Sequence, residues 1–427
     1  MSKLLGKPPW RGVAWLSVLG PVFFLSYGYA NHRTAQLADV PAFVFAWEVD
    51  AIPFLPWLII PYMSIDLFYA GSLFLIRASD ELDTHASRLL LATTVAVICF
   101  FIFPLQCTLV RPPVDGVNGW LLQILSGFDQ PFNQSPSLHI SLLILLWPKY
   151  AARLTGLSRL ALHLWFSLIG ISVLCTWQHR VIDVVWGMVA GVLVWYVLPM
   201  PLLRMSWRAP AMLPIAVWHG AGALVSALLA FAGGGLMLLM LWPALSLAIL
   251  SLAYCGAGAT VFQKDADGQL SLPASLVLLP YRWSARLVRR AYRSPPITAV
   301  IDELTLCAWP GPTHPGAAVL DLCGEYSRGG TFGCYRSVPL LDRSVPQVTD
   351  LTVIVSAIED MLPHGPVWVF CAMGRGRSAL VAAAWLLHRR RVNGVADAMS
   401  AVRERGFGVV FPVGTAMLLE AWVNTAH

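Results

Sequence analysis

Charge is scarce in this sequence. Asp, Glu, Lys and Arg make up 12% of its 427 residues, against about 25% in a soluble domain. That shortage excludes a chain that is soluble along its whole length. The eight cysteines (Cys99, Cys107, Cys175, Cys255, Cys307, Cys323, Cys334 and Cys371) form no CxxC pair and no metal-ligand spacing. Five lie in or beside apolar runs or predicted strands, where a free thiol behaves as a small hydrophobe. No structural disulfide, metal site or cofactor is expected. No nucleic-acid motif accompanies the net charge of +6, which fits positive cytoplasmic loops instead.

What the chain has in excess is apolar residues, 57% of the total. Eight runs span or nearly span a bilayer, around residues 12–30, 53–76, 88–105, 137–151, 160–176, 181–200, 212–231 and 235–255. The fourth is short because it ends at Pro148 and Lys149. From about residue 295 polar residues return to soluble density. The expected fold is an all-α multi-pass membrane helix bundle of about eight transmembrane helices, then a cytoplasmic α/β domain with a central sheet. The domains read as residues 1–256 (polytopic membrane domain), 257–295 (basic amphipathic juxtamembrane linker) and 296–427 (α/β domain).

Lys and Arg in the short loops set the orientation. With the N-terminus inside, the inner segments hold Lys3, Lys7, Arg11, Arg77, Arg88, Lys149, Arg153, Arg159, Arg204 and Arg208, and the outer ones hold Arg33, Arg111 and Arg180. Both termini are therefore expected in the cytoplasm, with the protein in the cell inner membrane. The cytoplasm is reducing, which suits an unpaired nucleophilic thiol.

Three outer stretches carry unusual polarity: VRPPVDG (110–116), NQSPSLHIS (133–141) and TWQHRVIDVVWG (176–187). His179 and Asp183 are four apart and share one helix face. An aspartate there accepts from one imidazole nitrogen and leaves the other free to attack. His139 can serve as acid toward a leaving oxygen. Arg111 and Arg180 supply positive charge for a phosphate. Ionisable groups at membrane depth are costly unless used.

PSLH and HRVID resemble the second and third signatures of the PAP2 superfamily, nearest to its inositol-phosphotransferase and sphingolipid-synthase-like branch. The resemblance covers about residues 50–200. It implies His179 as nucleophile forming a phosphohistidine, Asp183 as its orienter and His139 as general acid. Arg111 would match the arginine of the first signature, and Ser137 and Arg180 are further candidate phosphate binders. The lysine and the arginine usual in the first and third signatures are replaced by Pro104 and Val173. The phosphoryl group can pass to water or to an alcohol, so phosphatase and phosphotransferase both stand.

Residues 280–293, PYRWSARLVRRAYR, place Arg282, Arg286, Arg289, Arg290 and Arg293 along one helix face. The expected partner is an anionic membrane surface.

Beyond 296, TAVID, LTLCA, AVLDL, CYRSV and PVWVF read as strands. Residues 345–363, 377–390, 394–404 and 414–425 read as helices. The last strand runs into VFCAMGRGRSAL (369–380), where Cys371 is followed by five residues and then Arg377. Gly374 and Gly376 permit tight turns, so the loop amides can form an anion nest at a helix N-terminus. The same field favours the Cys371 thiolate. Arg377 can grip two phosphate oxygens, Arg375 adds a second cation, and Ser378 can donate to the departing thiolate. Asp342, on a loop between Pro339 and Pro346, is the candidate proton donor, with Asp321 and Asp350 as rivals.

DLCGEY, VPLLDRSVP and CAMGRGRSA resemble the marks of dual-specificity phosphatases. The resemblance implies Cys371 as nucleophile, Arg377 as phosphate binder and Asp342 as acid. Phe370 stands where that family has a histidine. Two functions follow. One is a membrane phosphatase acting on a phospholipid or lipid phosphate. The other is a protein (Tyr, Ser or Thr) phosphatase tethered to a lipid-binding or scaffold membrane domain.

Overall fold

The computed structural model describes residues 10–42, 46–200, 212–309 and 316–425. Lys3, Lys7, Arg204 and Arg208, which entered the orientation count, lie outside these residues. The chain divides into two compact units, Met1–Leu202 and Leu203–His427. The division falls well before the boundary at 256 expected from composition.

In the first unit, α1 (Trp10–Ala35), α3 (Ile59–Leu75), α4 (Ser79–Ile102), α6 (Leu138–Ala151), α7 (Gly156–Cys175) and α8 (Val181–Val197) match the first six apolar runs. Two shorter elements, α2 (Ala46–Ala51) and α5 (Gly116–Phe128), were not anticipated. Over the whole chain six described helices are long and apolar enough to cross a membrane. These are Trp10–Ala35, Pro56–Leu75, Ser79–Ile102, Gly156–Cys175, Leu213–Gly233 and Gly235–Phe262; α6 and α8, with 14 and 17 residues, are shorter apolar helices.

Small residues bring α6 and α8 together. A Cβ on Gly187 would sit 2.6 Å from the Ser137 carbonyl oxygen, and one on Gly191 2.9 Å from that of Ser141. The Ser141 hydroxyl donates to the Gly187 carbonyl at 2.9 Å. This small-xxx-small seam allows close backbone approach, and it sets the start of α6 beside the start of α8. At the other end of α6, Lys149 pairs with Glu81 at 2.8 Å, and Arg11 pairs with Asp83 of the same α4 turn at 2.7 Å.

The second unit opens with two apolar helices, α9 (Leu213–Gly233) and α10 (Leu241–Leu252), followed by α11 (Leu272–Val277) and α12 (Leu279–Tyr292). A five-stranded sheet follows, with order β1-β2-β5-β3-β4. Its strands are β1 (Ile297–Ile301), β2 (Leu304–Ala308), β3 (Ala318–Cys323), β4 (Cys334–Leu340) and β5 (Val367–Cys371). The β1–β2 pair is antiparallel and the remaining neighbours are parallel. The helices α13 (Val348–Met361), α14 (Arg377–His388), α15 (Val395–Arg405) and α16 (Thr415–Thr425) complete the unit. Leu306, Leu320 and Val369 from the sheet form one core with Leu380 and Trp385 of α14. Strand β5 is central, so its C-terminal end is braced from both sides. Parallel sheets bind ligands at such strand ends.

Segment 257–295 is not a free linker. Lys264 and Leu270 form a β-bridge, and Arg328 N–H donates to the Gly268 carbonyl at 2.6 Å. The expected single basic face of 280–293 is also corrected. Arg282 is buried and donates to the carbonyls of Glu325 and Ser275, at 3.0 and 3.3 Å, while Arg289 is half-buried. Trp283, Leu287, Val288 and Tyr292 are each more than half exposed, alongside exposed Arg286, Arg290 and Arg293.

Candidate active site

Cys371 is the last residue of β5, and its thiol is buried. Helix α14 starts at Arg377, so the five residues between close a tight loop around the helix N-terminus. Gly374 takes φ +69°, a left-handed conformation that suits glycine. A Cβ there would lie 2.6 Å from Thr298 Oγ1 and 2.8 Å from the Cys307 carbonyl carbon. Thr298 instead donates to the Gly374 carbonyl at 2.5 Å. The loop is held on its other flank by Val410 N–H, which donates to the Arg375 carbonyl at 3.1 Å. Ser378 Oγ lies 3.3 Å from Cys371 Sγ, within reach to donate to a thiolate.

Arg377 is fully buried. Its Nη1 and Nη2 donate to the two Glu325 carboxylate oxygens at 3.0 and 2.6 Å. Nη1 also reaches the Leu340 carbonyl at 2.9 Å. The Nε of Arg377 is buried without a hydrogen-bond partner, which is rare for a buried donor. A phosphate oxygen is the acceptor such a donor suits. Burial opposes the charge on Arg377, but Glu325 and then Asp342 overcome it and raise its pKa well above the ordinary value. Burial likewise pushes Glu325 up, and the Arg377 charge and hydrogen bonds reverse this, leaving the carboxyl below its usual range. Glu325 belongs to DLCGEY, where local sequence alone assigns it no role.

Asp342 Oδ1 lies 3.3 Å from Arg377 Nη2, with its side chain half exposed. The loop thus brings the candidate acid beside the candidate phosphate binder. The rival Asp321 is fully buried and pairs with Lys264 Nζ at 2.6 Å. It also accepts from the Tyr335 hydroxyl at 2.6 Å, so it has no free oxygen face for proton transfer. Asp350 lies in the first turn of α13 and accepts from Gln347 N–H at 3.3 Å. The guanidinium of Arg375 stacks on Phe407 at 4.7 Å, and its Nε is also buried and unpartnered. Phe370 packs edge-on to Trp309, 5.7 Å between centroids, filling with apolar contact the place before the cysteine. Burial pushes the neighbouring Cys307 thiol up to about 12.

The first unit gathers a second polar cluster. His179 Nδ1 is 3.8 Å from Asp183 Oδ2, while the same carboxylate oxygen accepts from Arg180 N–H at 2.8 Å. Ser137 N–H donates to the Asp183 carbonyl at 3.0 Å. His139 stacks on Tyr62 at 4.0 Å, and its Nε2 lies 3.2 Å from the Tyr62 carbonyl. Arg180 faces Glu48 at 3.7 Å, a partner not anticipated from sequence. Arg111 donates to Ser126 at 3.3 Å. Buried Asp129, also unanticipated, is pushed up by burial, against hydrogen bonds from Tyr27 and Tyr62 and the charges of His179 and Arg111. Ser137 Oγ, His179 Nδ1, Arg180 Nε, Gln134 Oε1 and Gln178 Nε2 are all buried without hydrogen-bond partners.

No family model matches the chain, and no curated protein matches it. Among solved structures it is similar to a mouse protein described as a dual specificity phosphatase, complexed with zinc tungstate. That match has 22% identity and a TM-score of 0.28, and covers 31% of this chain and 90% of the other. A variant of human DUSP28 matches at 20% identity over 31% and 97% of the two chains, with a TM-score of 0.28. Tk-PTP in a mutant form matches at 21% identity over 31% and 97%, with a TM-score of 0.27. None of these comparisons supports the PAP2 resemblance.

Proposed function

We propose that the second unit is a phosphocysteine phosphatase that acts on a phosphate monoester of a lipid. The arrangement that carries this reading is the Cys371 loop. Its thiol is next to Ser378, its arginine is gripped by Glu325 yet keeps an unpaired Nε, and Asp342 stands beside that arginine. The Cys371 thiolate attacks phosphorus and the bond to the leaving oxygen breaks. Asp342 protonates that oxygen. Water then attacks the phosphocysteine, the P–S bond breaks, Asp342 takes the proton, and Ser378 donates to the returning thiolate. Arg377 and the loop amides bear the charge on the phosphoryl oxygens throughout.

The lipid assignment is supported by what adjoins the site. The apolar stretch Gly235–Phe262 is long enough to cross a membrane. Tyr254 within it donates to the Asp342 carbonyl at 2.8 Å. On α12, exposed Trp283, Leu287, Val288 and Tyr292 stand among exposed arginines. This pattern suits an anionic leaflet, at about 1 kcal/mol per arginine. The loop-charge bias supports a cytoplasmic position for this unit on a protein of the inner membrane. The test is phosphate release by the full-length protein in vesicles from phosphorylated lipids and from phosphopeptides. Lipid turnover lowered by Cys371→Ser, with any remainder removed by adding His179→Ala, is the expected result. A preference for phosphopeptides overturns the lipid assignment in favour of a tethered protein phosphatase.

The unpartnered polar atoms around His179 favour a second reading for the first unit. Three buried donors from two helix starts, Ser137 Oγ, Gln178 Nε2 and Arg180 Nε, have no hydrogen-bond partner and suit an anion bound between them. In this reading His179 is a phosphohistidine nucleophile, oriented by Asp183, with His139 as acid, on the periplasmic side.

A further inference from the structure

Tyr254 lies just past α10 and is buried. Its ring stacks on His219 of α9, with centroids 5.4 Å apart and 12° between planes. That stacking fixes the direction of the hydroxyl, which donates to the Asp342 main-chain carbonyl. The Asp342 side chain is half exposed, and Arg343 after it takes φ +56°, so the acid sits on an irregular turn. A hydrogen bond from a buried, stacked ring ties that turn to a rigid helix pair.

We infer that Tyr254 is a positioning residue for the proton donor, so that the α9–α10 hairpin sets where the Asp342 carboxyl meets the leaving oxygen. The inference rests on the phosphatase reading above. It makes the hairpin part of the catalytic apparatus and gives the membrane-proximal segment a way to tune the rate.

The leaving group separates this role from a general structural one. An alkyl phosphate departs as a strongly basic alkoxide unless it is protonated. A dinitrophenyl phosphate departs as a stable phenolate without help. Cys371 and Arg377 act on both, whereas Asp342 in its acid role matters only for the first. The ratio kcat/KM reports steps up to the first P–O cleavage, so it isolates the acid role from the later hydrolysis of phosphocysteine.

The experiment measures kcat/KM of full-length protein for an alkyl phosphate and for dinitrophenyl phosphate, after subtracting turnover that persists in Cys371→Ser. Tyr254→Phe keeps the stacked ring and removes only the hydroxyl. It is expected to slow the alkyl substrate about five- to tenfold, the worth of one hydrogen bond, and the aryl substrate by less than about twofold. Asp342→Asn is expected to slow the alkyl substrate further, and adding Tyr254→Phe to it should cost nothing more. Equal losses on both substrates, or no loss on either, overturn the positioning role. If Cys371→Ser leaves all turnover intact, the phosphatase reading itself is overturned, and this inference with it.

Discussion

The Arg377 guanidinium and the Glu325 carboxylate meet as two parallel hydrogen bonds, at 3.0 and 2.6 Å, inside the protein. The fork fixes the arginine's plane. Removing Glu325 strands a buried charge, a change that costs about 3–5 kcal/mol. Glu325→Ala is expected to lower unfolding stability by that amount, read from a denaturant titration. A midpoint equal to wild type contradicts the role.

The same pair predicts a pH dependence. Although burial opposes ionisation, Arg377 holds the Glu325 carboxyl below the usual range. The proton is therefore bound more weakly in the folded state than in the unfolded one. The stabilisation is complete above the unfolded value of about 4.3 and fades as pH falls through the lowered folded value. Denaturant titrations across this acid range are expected to show a loss of stability on acidification that is smaller in Glu325→Gln.

Lys264 and Asp321 form a second buried pair, with Lys264 Nζ also donating to the Cys323 carbonyl at 2.6 Å. Lys264→Met alone is expected to cost about 3–5 kcal/mol. Lys264→Met with Asp321→Leu should recover at least half of that. For the same reason a fragment starting at residue 296 should unfold in milder denaturant than one starting at residue 253. Equal midpoints for the two fragments contradict this.

At Gly374 the positive φ and the nearby Thr298 leave no room for a side chain. Gly374→Ala is expected to destabilise the unit by about 1–3 kcal/mol and to weaken binding of vanadate, a phosphoryl mimic. Unchanged vanadate affinity contradicts the loop geometry.

For the histidine cluster, Cys371→Ser protein is expected to retain some phosphate release from lipid phosphates. Adding His179→Ala should remove it, a loss of at least about a hundredfold for a nucleophile. If Cys371→Ser protein turns over none of the lipid phosphates or phosphodiesters offered, a lipid-binding scaffold gains over an enzyme there.

The five strands of the second unit were legible because each is a short apolar run bounded by turn residues. The Cys371 loop was legible because its glycines, serine and arginine are neighbours in sequence. What escaped are partners across long separations. Glu325 reaches Arg377 across 52 residues, Lys264 reaches Asp321 across 57, and Tyr254 reaches Asp342 across 88. No local pattern encodes such pairs. Helical periodicity placed the arginines of α12 on the helix, yet it could not tell that Arg282 turns inward onto the Glu325 carbonyl. The seam of Gly187 and Gly191 that joins the two histidine helices was equally silent, since glycine in an apolar run signals little until its neighbour is known.

The central claim is that phosphate passes through the thiol of Cys371. Full-length protein carrying His179→Ala and Asp342→Asn, mixed with dinitrophenyl phosphate labelled in its phosphoryl group and rapidly quenched, gives the most direct test when the labelled residue is mapped by mass spectrometry. The account predicts label on Cys371, and none when Cys371 is replaced by serine. Label that persists in the Cys371→Ser protein, or label absent from Cys371 while phosphate is still released, contradicts it.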